Sequence, residues 1–346
     1  MKQYMNIERK KIGMTNFEML EPMKYYSNDN VDNQKRQDMI ENKNGEYVAS
    51  CKKDGDWSLL LHYGKNNNLI RSRSISKVTG VYGDYTEKLP HLCEVMDSLP
   101  DNTVLLAEIC WDEPNTNANT VGTILRCLPQ KAVERQKNKK LKAVVFDILM
   151  LDGVELMDKP YIDRLNSAEK LLSSIKNDYI YLTSIYYNNF AEEADKIISN
   201  GGEGLVIQRK DNPYMPGTRT AWKTLKLKQS LPHLDLKVVG TIEPNKYYDG
   251  SNEAWPYIID DKPVTKPYYM GWKNGIVVQL PSSITTDITS GLTDDDRAYL
   301  ATEEAAQKIQ CGELWAEVKA MSWNDLGKLR HASLVRLRTD LNSEGE

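Results

Sequence analysis

Ser50-Cys51-Lys52-Lys53-Asp54-Gly55 is the stretch whose reading decides the fold. A short apolar strand, Tyr47 to Cys51, leads straight into it, so Lys52 stands at the mouth of a turn. A lysine amine is a nucleophile only when unprotonated, which requires burial or a neighbouring cation. Leu225-Lys226-Leu227-Lys228 offers that neighbour, because its two-residue period puts both ammonium groups on one face and both leucines on the other. At about 6 Å and an effective dielectric of about 20, one such cation disfavours a protonated amine by roughly 3 kcal/mol, or about two pKa units. Taken alone, Lys-x-Asp-Gly is a weak signal that reads as a turn with a solvated lysine.

The motifs between the two lysine strands change that balance. In order come Arg71-Ser72-Arg73-Ser74, Leu106-Ala107-Glu108-Ile109, Val145-Phe146-Asp147-Ile148 and Glu203-Gly204-Leu205-Val206. The series resembles that of the covalent nucleotidyltransferases, which comprise ATP-dependent DNA ligases, RNA ligases and messenger RNA capping enzymes. The Phe146-Asp147 strand, the Glu-Gly-Leu-Val strand and the run Tyr214, Pro216, Gly217, Arg219 most resemble the ATP-dependent DNA ligases, and an expected lack of any added DNA-binding or zinc module at either end resembles the compact ligases of viruses and phages.

The resemblance implies an α+β chain. Residues 1–231 would form an antiparallel-sheet, ATP-grasp-like nucleotidyltransferase (adenylation) domain, and residues 232–346 a small all-β OB-fold domain. Lys52 would be the catalytic nucleophile, with Ser50, Arg73, Glu108, Phe146, Lys226, Lys228 and Arg338 as nucleotide contacts. Glu203 and Glu108 would hold the metal, Mg²⁺ or Mn²⁺, and ATP would be the nucleotide. Nicked duplex DNA would be the partner of a cytoplasmic monomer, in the host cytoplasm if phage-encoded. The nearest alternatives are an RNA ligase and a GTP-using capping guanylyltransferase; a non-catalytic nucleic-acid clamp stands further off. Two positions depart from the ligase pattern: Trp57 stands where an arginine usually follows the lysine by five residues, and Asp340-Leu341 stands where the last motif usually ends Asp-Lys.

Each site residue also has a plainer reading from the sequence. Glu108 fits a structural ion pair on an apolar strand. Phe146 fits the core, Glu203 between two glycines fits a turn, and Arg336 and Arg338 fit a solvated strand face as well as a phosphate fork formed while Val335 and Leu337 pack inward.

Composition sets the outer limits. A chain of 346 residues favours two domains. Met1 to Met14 is charged and lacks a signal-peptide core, and no apolar run approaches the ~20 residues of a membrane span. Five widely spaced cysteines and four histidines suggest neither a disulfide framework nor a zinc site. Net charge is −4, so cations matter only where they cluster, as from Lys131 to Lys142, which reads as a solvated helix end or a phosphate-tracking patch.

Periodicity supplies the rest. It predicts a hairpin of Trp57 to Tyr63 and Leu69 to Ser74, a helix over Leu89 to Leu99, and strands over Thr103 to Trp111 and Ala143 to Leu149. Helices follow over Val121 to Lys137, interrupted at Pro129, from Pro160 onward, and over Phe190 to Ser199 with Asn189 as cap. Before Glu46 only Met19 to Met23 looks packed, as a piece lying over the nucleotide pocket. Gln229 to Asp235 reads as a linker and hinge, and Thr286 to Gln307 as an acidic insertion carrying a helix.

Overall fold

The computed structural model describes residues 15–27, 33–76, 79–114, 116–220, 222–228, 231–250, 254–323 and 326–341. They belong to two units, Met1–Lys228 and Gln229–Glu346. In the first unit the elements run α1 (Asn33–Glu41), β1 (Tyr47–Lys52), β2 (Asp56–Gly64), β3 (Asn67–Ile75), α2 (Pro90–Met96), β4 (Thr103–Cys110), α3 (Ala118–Leu125), α4 (Pro129–Arg135) and β5 (Lys142–Leu151). Then follow α5 (Tyr161–Ser173), β6 (Ile180–Leu182), β7 (Ile185–Tyr186), α6 (Phe190–Ser199), β8 (Gly204–Arg209) and β9 (Thr224–Lys228).

Two sheets result. The first has the order Tyr26–Ser27, β9, β8, β1, β7, and is antiparallel except where Tyr26–Ser27 runs parallel to β9. Its register aligns Ser50 with Val206 and Lys226, and Lys52 with Gly204 and Lys228, so these residues share one face. The alternate residues Ala49, Leu205, Ile207 and Leu225 form the other face and pack with Met39 of α1 and with Phe190 and Ala194 of α6. Alternation of small or charged groups with apolar ones thus gives this sheet one dry side and one open side.

The second sheet is built on β3, β2, β4 and β5 in that order, with β6 parallel beside β5. Leu60, Leu105, Ala107 and Val145 face a core that includes Leu92 of α2, Ile124 of α3 and Ala168 of α5. The reverse face presents Leu59, Leu61, Leu106 and Leu149 to a second core containing Phe17, Leu20, Met23 and Tyr214. The strands and the interrupted helix are where the periodicity puts them, with Pro129 at the start of α4 because a missing N–H costs nothing in the first turn.

Several local expectations fail for identifiable reasons. The segment before β1 packs more than expected, since Phe17 and Met39 are sealed while Met19 is 65 % exposed. Asn189 does not cap α6 through its side chain, because it takes a left-handed backbone with φ 56°. The lysine strand β9 begins only at Thr224, and Thr183 and Ser184 separate β6 from β7. The expectations for residues 1–14 and for Gln229 and Ser230 of the linker lie outside the described residues. Asp235 already belongs to a strand.

The second unit is a five-stranded antiparallel sheet of β10 (Leu234–Ile242), β11 (Gly275–Gln279), β12 (Thr285–Ile288), β13 (Trp315–Lys319) and β14 (Ser333–Arg338), in the order β12, β11, β10, β13, β14. Leu314, Ala316, Val318 and Ala320 face its core with Leu236, Val238, Ile276 and Val278. The acidic insertion carries two short helices, Asp294–Tyr299 and Glu303–Cys311, after strand β12. On β14 a bulge pairs Val318 with Leu334 but Glu317 with Arg336, leaving Val335 unopposed and 40 % exposed. Leu334, and not Val335, therefore fills the core.

Candidate active site

In the first unit a cavity of about 480 Å³ is walled by both sheets. The first sheet contributes Ser50, Lys52, Val206, Gln208 and Lys226, and the second contributes Trp57, Leu106, Glu108, Val144 and Phe146. Arg73 lines it as well. The open side of the first sheet and the period-two faces of β4 and β5 make this meeting unavoidable. Six of the eight predicted nucleotide, metal or catalytic residues of this unit line the cavity, namely Ser50, Lys52, Arg73, Glu108, Phe146 and Lys226; Lys228 shares the face of Lys226 without lining it, and Glu203 reaches Lys52 from just before β8.

Lys52 Nζ donates to Glu203 Oε2 at 2.6 Å. The partner nearest the amine is thus a carboxylate. Burial pushes the Lys226 amine down to about 8, helped by the charges of Lys52 and Arg73. Lys226 Nζ also lies 5.8 Å from the ring centre of Tyr25.

Glu108 accepts a hydrogen bond from the Gly55 amide at 3.2 Å, tying the lysine turn to β4. This explains the glycine of the motif: a Cβ at residue 55 would lie 2.3 Å from the Ile109 carbonyl oxygen. Desolvation, opposed by Lys52 and reinforced by Glu203 and Asp56, pushes the Glu108 carboxyl up to about 8. The folded chain then holds a proton there that the unfolded chain loses above the ordinary value of 4.5. Stability from this group is fully present below pH 4.5 and is lost progressively as pH rises to about 8. At roughly 1.4 kcal/mol per pKa unit, urea unfolding of ligand-free protein at pH 5 and pH 8 should reveal the loss, and Glu108→Gln should flatten it. An unchanged slope in that variant would assign the pH dependence elsewhere.

Phe146 is placed by a network the sequence reading did not identify. Arg164, fully buried on α5, grips Asp147 with Nε to Oδ1 at 2.8 Å and Nη2 to Oδ2 at 2.9 Å. Its remaining nitrogen donates to the carbonyls of Lys159 at 2.6 Å and Asn212 at 3.0 Å. Tyr161 donates to the carbonyl of Phe146 at 3.2 Å. Burial and the Asp147 charge raise the Tyr25 phenol well above its ordinary value, so it stays a neutral donor.

Other cavity residues went unpredicted. Tyr25, Asp56 and Arg126 line it, and Gln208 lines it with a buried Oε1 that has no hydrogen-bond partner among the described residues. Gln208 shares this face with Gly204 and Val206 through the two-residue period of β8. Trp57 does line the cavity where the ligase pattern has arginine, and Arg71 lies with its guanidinium 5.7 Å from the Trp57 ring.

Arg338 belongs to the second unit, where it bonds Asp340 at 2.9 Å and Asp235 at 3.1 Å, while Arg336 bonds Glu317 at 2.7 Å. Both arginines of the expected phosphate fork are therefore engaged by carboxylates.

No group of three or more His, Cys, Asp or Glu among the described residues forms a metal set. A Mg²⁺ in a polyphosphate site needs only one or two carboxylates besides the phosphates, and Glu203 and Glu108, close enough to perturb one another, meet that requirement. No described helix is long and apolar enough to cross a membrane.

Residues 31–228, more than half of the chain, match the family model described as an ATP dependent DNA ligase domain. Among curated proteins, a DNA ligase of Methanocorpusculum labreanum is 29 % identical over 201 residues, covering 56 % of this chain and 34 % of its own. A DNA ligase of Nitrosopumilus maritimus is 28 % identical over 225 residues, covering 59 % and 35 %. The matched region thus spans about a third of the length of these relatives. A solved Lig E DNA ligase shares the fold with a TM-score of 0.61 over 92 % of this chain and 99 % of its own, at 16 % identity.

Proposed function

The chain belongs to the ATP-dependent DNA ligase domain family, and from that premise we propose that it seals nicks in duplex DNA, joining a 5′-phosphate to the adjacent 3′-hydroxyl through AMP carried on Lys52. The observation that carries this reading is Lys52 on the wall of the cavity, 2.6 Å from Glu203 and on the same sheet face as Lys226.

In the first step Lys52 Nζ attacks the α-phosphorus of ATP, its N–P bond forming as the bond to pyrophosphate breaks. A 5′-phosphate oxygen then takes the AMP from Nζ, and the 3′-hydroxyl finally displaces AMP. Each step is phosphoryl transfer, in which catalysis rests on position and on cations at the phosphate oxygens. Lys226 and Arg73 supply fixed positive charge, Phe146 supplies an aromatic face for the base, and Ser50 is a further phosphate or sugar contact. A bound Mg²⁺ would neutralise phosphate charge, and Glu203 and Glu108 are the residues to hold it. The first unit reads as the adenylation domain and the antiparallel sheet of the second as an OB-fold, with Arg338 acting on the departing pyrophosphate. The same reading has the chain act as a cytoplasmic monomer on nicked duplex DNA.

Gln208 bears on the choice of nucleotide. Adenine offers an amino donor where guanine offers a carbonyl acceptor, and a buried carbonyl oxygen lacking a partner prefers the donor. Gln208→Leu should therefore narrow the preference for ATP over GTP in self-labelling by roughly 5- to 100-fold, the worth of one buried hydrogen bond. Equal discrimination in parent and variant would remove Gln208 from base reading.

The proposed function is tested by incubating the protein with Mg²⁺ and ATP labelled at the α-phosphate, denaturing it, and then repeating the incubation with nicked duplex DNA or nicked RNA added. Label should survive denaturation, and should be discharged with joining by nicked DNA. Absence of any covalent label, or joining of RNA alone, would overturn the reading.

A further inference from the structure

The cations from Lys131 to Lys142 are not simply a solvated helix end. α4 stops at Arg135, and the last three lysines lie beyond it over aromatic rings: Lys139 is 5.1 Å from the ring centre of Trp111, Lys140 is 5.2 Å from that of Tyr179, and Lys142 is 5.6 Å from that of Tyr181. The rings come from neighbouring strand ends of the second sheet. Trp111 follows Cys110, which pairs with Lys142, while Tyr179 and Tyr181 flank Ile180, which pairs with Ala143. The Ala143 amide also donates to the Tyr179 carbonyl at 2.7 Å, fixing that end of β5 against β6.

The row continues to the cavity. Tyr181 donates to Asp112, which also receives Lys53 at 2.5 Å, and Lys53 lines the cavity beside Lys52. We propose that Lys139, Lys140 and Lys142, held over Trp111, Tyr179 and Tyr181, form a track for the phosphodiester backbone of the DNA whose end reacts at Lys52. This inference rests on the ligase reading and adds to it a path by which the polynucleotide approaches.

Three arguments support the track. A chain with net charge −4 has no general attraction for DNA, so its binding energy must come from local rows of cations. Lysine stems laid along aromatic faces have already lost conformational freedom, which lowers the cost of fixing them on phosphates. Three adjoining strand ends span about 10 Å at the usual ~4.8 Å strand spacing, a length over which one DNA strand advances about three phosphate steps at ~3.4 Å rise. Glu113 also pairs with Lys139, but both side chains are about half exposed, and such pairs are weak enough for phosphate to displace the carboxylate.

The test compares the parent with a Lys139→Ala/Lys140→Ala/Lys142→Ala variant and a matching triple Lys→Arg variant. Covalent labelling by ATP without DNA is measured first, then binding of a nicked duplex from low to moderate salt. The alanine variant should label like the parent, while its slope of log affinity against log salt falls by about 2 to 3, each lost phosphate contact removing ~0.9. The arginine variant should keep the parent slope, since guanidinium groups also stack and bind phosphate. A parental slope in the alanine variant, or its loss in the arginine variant, would overturn the track. Failure of the parent to label would instead overturn the ligase reading, so the two failures are distinct.

Discussion

Lys52→Ala should acquire no covalent label from ATP while retaining the fold, because its side chain lines the cavity and its loss opens no hole in either core. Lys52→Arg should be equally inactive, since a guanidinium keeps its proton. The expected fall is to background, with DNA binding preserved. The cavity contains a credible competitor, because Lys226 is the amine pushed down to about 8 and faces the same space. Peptide mapping of the labelled protein separates the two. Label on Lys226, or label persisting in Lys52→Ala, would falsify the assignment. Lys226 is set apart by its contacts: it is hemmed by Lys52 and Arg73 and lies over Tyr25, a position suited to holding phosphate oxygens, whereas Lys52 sits at the turn with its amine on Glu203.

The second large effect is on stability. Arg164→Ala should destabilise the first unit by roughly 3–5 kcal/mol, because it strands the Asp147 carboxylate in a fully buried site and frees the Lys159 and Asn212 carbonyls. Native domains have only about 5–15 kcal/mol in hand, so the variant should unfold at much lower urea. Where it still folds, nucleotide binding should also weaken, since Phe146 precedes Asp147 on β5 and its carbonyl is held by Tyr161 of the same helix. A shift below 1 kcal/mol would show that Asp147 finds another partner. Replacing both ends of the pair with apolar residues should cost less than removing Arg164 alone.

The contrast between these two sites shows what a sequence makes legible. Lys52, Glu108, Phe146 and Lys226 stand on short strands whose alternation fixes which way each points, and Glu203 directly precedes another, so their meeting follows once the strands are paired. Arg164 lies on a helix whose apolar positions Leu165, Ala168 and Leu172 predict the buried face correctly, yet nothing in that pattern says a guanidinium belongs on it. Its partner is 17 residues earlier, on another element, and the pairing exists only after docking. Asn189 and Val335 fail differently, through a left-handed residue and a bulge, since backbone irregularities leave no period. Gln208 escaped notice because an amide on a buried strand becomes meaningful only when its oxygen is found without a partner.

The two-residue strand Tyr26–Ser27 covers the outer side of β9, and Tyr26 stacks on Trp222 at 5.2 Å. Cutting the chain after residue 27 would bare the backbone of the strand that carries Lys226 and Lys228. An uncovered strand of that kind recruits a like strand from another molecule, so shortened forms should self-associate and precipitate. Loss of catalysis in such preparations would then reflect aggregation before it reflected chemistry.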